Sequence, residues 1–135
     1  MMLNSKEYEI VNLMWAEKRP LAANEIVTLL PDKKWKDSTI HIILNGLLEK
    51  SIINVDGVIQ AGRTYARLFI PAITMEDYLA EQIKHTAAYH MDKDSKITNL
   101  LAALLNDDIK YETLLEMEEM IARKKEEIHS FPARV

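Results

Sequence analysis

The stretch Trp35-Lys36-Asp37-Ser38-Thr39-Ile40-His41-Ile42-Ile43-Leu44-Asn45-Gly46-Leu47-Leu48-Glu49-Lys50 decides how the rest of the chain is read. Ile40, Ile43, Leu44, Leu47 and Leu48 recur at helical spacing and make one apolar stripe. Asp37 brings a carboxylate to the first turn, as the cap or the residue just inside it, where a helix N-terminus favours negative charge. The other face carries Ser38, Thr39, His41, Ile42, Asn45 and Glu49. A helix with a buried stripe and a short, uncharged polar face near its N-terminus suits a DNA major groove. It also suits ordinary packing, and the stretch alone leaves both readings open.

Upstream, Asn4 with Glu7 three residues on predicts a capping box that opens a first helix. Tyr8, Val11 and Trp15, joined by Ile10 and Met14, line its packing side, and Lys18-Arg19-Pro20 ends it. A second helix is expected over residues 23–30, burying Ile26, Leu29 and Leu30, with a turn at Pro31-Asp32. Lys33, Lys34 and Lys36 bracket Trp35 ahead of the central helix. Downstream, the period changes from helical to alternating. Ile53, Val55, Val58 and Ile59 surround an Asp56-Gly57 turn signal, and a second strand from Tyr65 to Ile70 follows the Gly62-Arg63 corner. Helix, helix, helix and hairpin together predict a winged helix-turn-helix.

Beyond Pro71 the pattern is helical again. Thr74 reads as the N-cap of a helix running to about His90, with Glu76 and Asp77 in its first turn. Residues 91–95 break it, Ile97, Leu100, Leu101, Leu104 and Leu105 form a second stripe, and Asn106-Asp107-Asp108 break that. A last helix is expected from Tyr111 to Ile128, with Leu114, Leu115, Met117, Met120, Ile121 and Ile128 on one broad side. So much apolar surface exceeds what a small wing domain covers, and dimerisation is its natural burial. The expected fold is therefore mainly α with a small β-hairpin: a winged-helix DNA-binding domain over residues 1–72, a helical dimerisation region over 73–130 and a flexible tail over 131–135.

Charge narrows where a nucleic acid would bind. The formal net charge is −4, yet residues 1–71 hold nine Lys+Arg against eight Asp+Glu, while residues 72–135 hold eight against thirteen. A basic surface must be local and lie in the first half. With no cysteine, disulfides and thiolate metal sites are out, which fits a reducing compartment. No signal peptide or membrane-length apolar run is seen, so a cytoplasmic protein is expected, with no membrane partner.

Together these elements resemble the penicillinase-repressor family. Leu3 to Trp15 loosely matches the family opening, with Tyr8 in its aromatic slot between Glu7 and Glu9. Trp35, Thr39, Ile40, Leu44, Leu47, Lys50 and Ile53 fall on the family's Trp-x-x-x-Thr-Ile-x-x-x-Leu-x-x-Leu-x-x-Lys-x-x-Leu run. Gly62-Arg63 with Phe69-Ile70-Pro71 is similar to the wing and its exit, and residues 74–78 to the link into the dimerisation region. The resemblance implies a homodimeric repressor on a dyad-symmetric double-stranded DNA operator, held through its C-terminal helices, with an unidentified sensor protein as a further partner. It places Ser38, Thr39, His41 and Asn45 on the third helix at the DNA, with Lys36, Arg63 and Arg67 reaching phosphate.

Departures from the family pattern are concentrated on that helix. The family commonly has a basic residue where this chain has Ser38, an Arg at Gly46, a basic residue at Glu49 and a Gly at Ser51. A cation at position 46, on the edge of the stripe, is expected to snorkel toward the DNA backbone. The rival reading is accordingly a winged-helix protein-interaction module that has lost most DNA affinity.

Other candidates fall to bland readings. Trp15 and Trp35 lack the basic, aromatic-interleaved setting of a stacking platform and read as core. His85 and His90 sit about 140° apart around a helix, so they and Asp92 and Asp94 predict no metal site. Asp92-x-Asp94-x-Lys96 lacks the glycine and final glutamate of a calcium loop. Glu118-Glu119 and Glu126-Glu127 read as solvated faces. No triad, glycine-rich phosphate loop or reactive cysteine is present, so no enzyme and no cofactor are expected. Resemblance also implies two inducer routes that this chain does not match: the copper branch's C-terminal cysteine cluster, and cleavage at an Asn-Phe bond, which residues 101–104 lack.

Overall fold

Asn4 starts the first helix as its side chain dictates. Its Oδ1 accepts the Glu7 N–H at 2.9 Å while Glu7 Oε1 accepts the Asn4 N–H at 3.0 Å, the reciprocal box that satisfies two orphan donors. The computed structural model describes residues 2–130; the expected tail, 131–135, lies outside them. Helix α1, Ser5–Glu17, ends at Lys18 in the left-handed region at φ 58°. Strand β1, Leu21–Ala22, leads into helix α2, Ala23–Leu29. A 3-10 turn, Asp37–Thr39, runs into helix α3, Ile40–Glu49. Strands β2, Ile53–Ala61, and β3, Thr64–Pro71, form the wing, followed by helix α4, Met75–Lys84. Helices α5, Lys93–Leu105, and α6, Tyr111–Ser130, complete the order. The architecture is mainly helical with a small antiparallel sheet, a winged helix followed by helices.

The sheet differs from a bare hairpin in two ways. Its order is β1-β3-β2, because Leu21 and Ala22 pair with Phe69 and Leu68. Two residues carry no readable alternation, so β1 leaves no signal in the sequence. Second, Asp56-Gly57 is not a turn. Strand β2 runs through it, and the register shifts between Val55 and Val58. Gly57 takes φ 108° in that bulge, while Gly62 at φ 65° sits in the two-residue turn closed by Ala61 and Thr64.

The core of this first unit draws on every element around it. Ile10, Val11 and Met14 of α1, Leu21, Ile26, Ile40, Leu44 and Leu47, Ile53 and Phe69 are all nearly or fully buried. Leu29, expected in the core, is 38% exposed, because the short α2 turns only Ile26 fully inward. Glu25 accepts the Ala22 N–H and pairs with Arg19, and these hold its carboxyl below the usual range, the backbone bond first. That contribution is present at neutral pH and fades as pH falls through the lowered value.

Tyr78 alters the expected boundary. It is buried, accepts the Leu3 N–H at 3.2 Å, and packs with Tyr8 and Trp15 at centroid distances of 6.1 and 5.8 Å. Trp15 Nε1 donates to the Ile73 carbonyl at 2.9 Å. The first compact unit therefore extends to Ala87 rather than residue 72, and takes in α4. Thr74 caps α4 through the Asp77 N–H as expected, but α4 stops at Lys84 rather than near His90. A 3-10 segment, Ala87–Met91, follows.

Ser51 stands where α3 ends. Its φ is 59°, its N–H donates to Leu48 O and the Ile52 N–H donates to Leu47 O, both at 3.0 Å. This is the paired-bond helix stop that favours glycine, and a Cβ in that conformation is strained. Ser51→Gly should raise stability by about 1 kcal/mol, measured as a shift of the urea midpoint at unchanged slope. No gain would mean that serine fits the left-handed position without strain.

The second unit begins at Ala88. Among its described residues no side chain of α5 or α6 is buried. Ile97, Leu104, Met120, Ile121 and Ile128 are 49–62% exposed. On α6, Leu114, Met117, Ile121 and Ile128 follow three-, four- and seven-residue steps, the spacing of a coiled-coil seam.

Candidate nucleic-acid interface

Helix α3 turns Ile40, Ile43, Leu44 and Leu47 into the core, which leaves Ser38, His41, Ile42, Asn45 and Glu49 exposed. Thr39, at the joint between the 3-10 turn and α3, is half-buried, and its N–H donates to Lys36 O at 2.9 Å. Lys36 is exposed just ahead of it. Asp37 is the first residue of the 3-10 turn, with Lys36 in the N-cap position. Its carboxylate pairs with Lys33 Nζ at 2.6 Å.

The wing approaches the same face. Strand alternation puts Tyr65, Arg67 and Phe69 on one side of β3. Phe69 is buried, and the Arg67 guanidinium lies 5.2 Å from its ring centroid. A shallow groove is lined by His41 of α3, Asn24 of α2, and Tyr65 and Arg67 of β3. Helix and wing thus present one continuous surface in which His41 and Arg67 are brought together. Arg63, in the exposed hairpin turn, stands at the wing tip and does not line that groove.

Two cations that flank the ends of the α3 stretch, Lys33 and Lys50, are used inside the protein. The Lys33 side chain is 8% exposed, held by Asp37 and lying 5.3 Å from the Trp35 ring centroid. Trp35 is in turn fixed by its Nε1–H to Glu9 Oε1 at 2.7 Å. Lys50 Nζ pairs with Glu7 Oε1 at 2.6 Å, and the Glu7 side chain is only 6% exposed. A buried carboxylate needs such a partner, because an uncompensated charge in the core is costly.

Gly46 belongs to this inner arrangement. A Cβ there would lie 3.5 Å from Glu7 Oε2, an ordinary contact. Position 46 therefore points along the flank of α3 toward α1, not outward to a phosphate as its place on the stripe's edge suggested. Sequence reading also gave no role to Tyr65 or Asn24, and left Ile42 without a function although it is 74% exposed. Alternation with Arg67 could have flagged Tyr65; Asn24 had no such signal.

The family model described as penicillinase repressor matches residues 3–123. The chain belongs to the penicillinase repressor family. This family member is accordingly a winged-helix transcriptional regulator of the repressor class. Among solved structures, the crystal structure of the adhesin competence repressor (AdcR) from Streptococcus pyogenes is similar at 15% identity and a TM-score of 0.37, covering 93% of this chain and 80% of that one. No curated protein matches the chain. Among the described residues, no group of His, Asp and Glu is arranged to hold a metal, and no helix is long and apolar enough to cross a membrane.

Proposed function

We propose that this repressor-family member acts as a homodimer on a dyad-symmetric operator, as a cytoplasmic protein without catalytic activity. The observation that carries the reading is the shared surface of α3 and the wing, where His41 and Arg67 line one groove beside exposed Ser38 and Asn45. In this reading α3 enters the major groove. Ser38, Thr39, His41 and Asn45 address base edges or the nearest phosphates, and Lys36, Arg63 and Arg67 take phosphates. The unit ending at Ala87 binds DNA, and the apolar faces of α5 and α6 hold the two copies together. A sensor protein that relieves repression is the remaining partner.

Phosphate and base contacts separate experimentally. Arg63→Ala and Arg67→Ala should each weaken binding to all duplexes alike and flatten the salt dependence by about one unit. Asn45→Ala should change the ranking of operator variants, at a cost of about 1–3 kcal/mol for a base contact. Fluorescence anisotropy on a duplex selected from a random pool, at several salt concentrations, measures both. If all three variants bind like the parent, the assigned face is wrong.

The interaction-module reading has its own observation. Lys33 and Lys50 are committed to Asp37 and Glu7, and Glu49 stands exposed where the family commonly has a cation. That module would show no duplex preference and little salt dependence.

A further inference from the structure

Ile42 is out of place by the ordinary rules of a helix surface. At 74% exposed it is the most exposed large apolar side chain described in the first unit. The other isoleucines and leucines of α3 are buried or half-buried, so it is the one fully exposed apolar side chain of that helix. Its neighbours across the helix are Ser38 one turn before, His41 beside it and Asn45 one turn after. A docking surface for a protein needs a contiguous apolar area of several hundred Å2, and one isoleucine among polar groups does not supply it.

The DNA major groove contains one apolar group, the C5-methyl of thymine. A lone, branched side chain in the middle of a polar reading face matches that target in size and chemistry. Its χ1 is almost fixed in a helix, so contact costs little conformational freedom. The serine, histidine and asparagine around it serve base-edge hydrogen bonds, which isoleucine cannot make.

We propose that Ile42 reads the 5-methyl group of one thymine in each operator half-site. This rests on the DNA-binding reading above, and it names the base that α3 requires. Burying one methyl group is worth about 0.8 kcal/mol, which is roughly fourfold in affinity per thymine.

The test uses the full chain and a duplex that it selects from a random-sequence pool. Each thymine of the selected duplex is replaced singly by deoxyuridine, which removes the methyl and leaves pairing intact. One position per half-site should lose about fourfold in affinity. In Ile42→Ala, thymine and deoxyuridine should bind equally at that position, and Ile42→Val should keep most of the difference. The exposed site leaves the fold untouched, and thermal unfolding of both variants should match the parent. A selected duplex with no deoxyuridine-sensitive position overturns this inference alone, as does the same sensitivity persisting in Ile42→Ala. Failure to select any duplex overturns the DNA-binding reading and this inference with it.

Discussion

A chain cut after Ala87 should keep its fold and lose at least about a hundredfold in operator affinity. Its core is complete without the rest: the buried cluster runs from Leu3 to Tyr78. The cut retains the Tyr78 bond to Leu3, the Trp15 bond to Ile73 and the Thr74 cap of α4. A cut after residue 72 would remove all three and leave Trp15 Nε1 without its acceptor, which alone costs about 1–3 kcal/mol. The affinity loss has a different origin. Joining two half-site readers makes the second contact intramolecular, and such linkage is worth about two to four orders of magnitude. In our account the link is the apolar surface of α5 and α6, helices without one buried side chain of their own. Sedimentation should show the full chain as a dimer at micromolar concentration and the shortened chain as a monomer. A monomeric full chain would remove the homodimer from the account. A shortened chain that binds as tightly would show that dimerisation is irrelevant to recognition.

Lys50→Met should destabilise the first unit by about 2 kcal/mol. Removing one partner of a fully buried ion pair costs about 3–5 kcal/mol. The expected value is lower because the Lys50 side chain is 35% exposed and Glu7 keeps the Asn4 N–H. For a domain of this size the melting temperature should fall by roughly 8–15 °C. Gly46→Arg should restore most of the loss, since position 46 lies beside Glu7 Oε2. In the parent background the same change should be stabilising, through the helix propensity lost at glycine, about 1 kcal/mol, and through the carboxylate. It should leave operator affinity and its salt slope unchanged. Thermal unfolding of the four combinations gives the coupling directly. Additive effects of the two substitutions would show that position 46 does not serve Glu7. A gain in affinity with a steeper salt slope would return it to the DNA face.

The contrast between Gly46 and Asn45 shows what the sequence could convey. Periodicity separated the core side of α3 from its solvent side, so Ile40, Ile43, Leu44 and Leu47 are buried and Ser38, His41 and Asn45 exposed, as expected. Periodicity says nothing of which neighbouring element covers a flank. Gly46 and Lys50 lie on such a flank, and only the fold reveals that Glu7 of α1 is waiting there. The same limit applies to Lys33: a lysine beside a tryptophan reads as a free cation until the loop folds it onto the ring and Asp37. Capping was legible at Asn4 and Thr74 because each cap is decided within four residues. Strand β1 was illegible because its two residues are strand only by pairing with Phe69 and Leu68 far along the chain. At Asp56-Gly57 the dipeptide correctly announced a positive φ, yet a bulge and a turn use the same residue pair, and the paired register decided between them.

Because the chain has no cysteine, site-directed cleavage shows cleanly whether the solvent face of α3 lies on DNA. A single cysteine is placed at Asn45 and coupled to an iron-chelate cleaving reagent; a second protein carries it at Asn12, exposed on α1 and outside the assigned face. Each is bound to the selected duplex and the cut sites are mapped on both strands. The reagent at position 45 should cut inside two half-sites related by the dyad, about one helical turn or a multiple of it apart, and position 12 should cut weakly or nowhere. Strong cutting from position 12 with none from position 45 would contradict a DNA-facing α3.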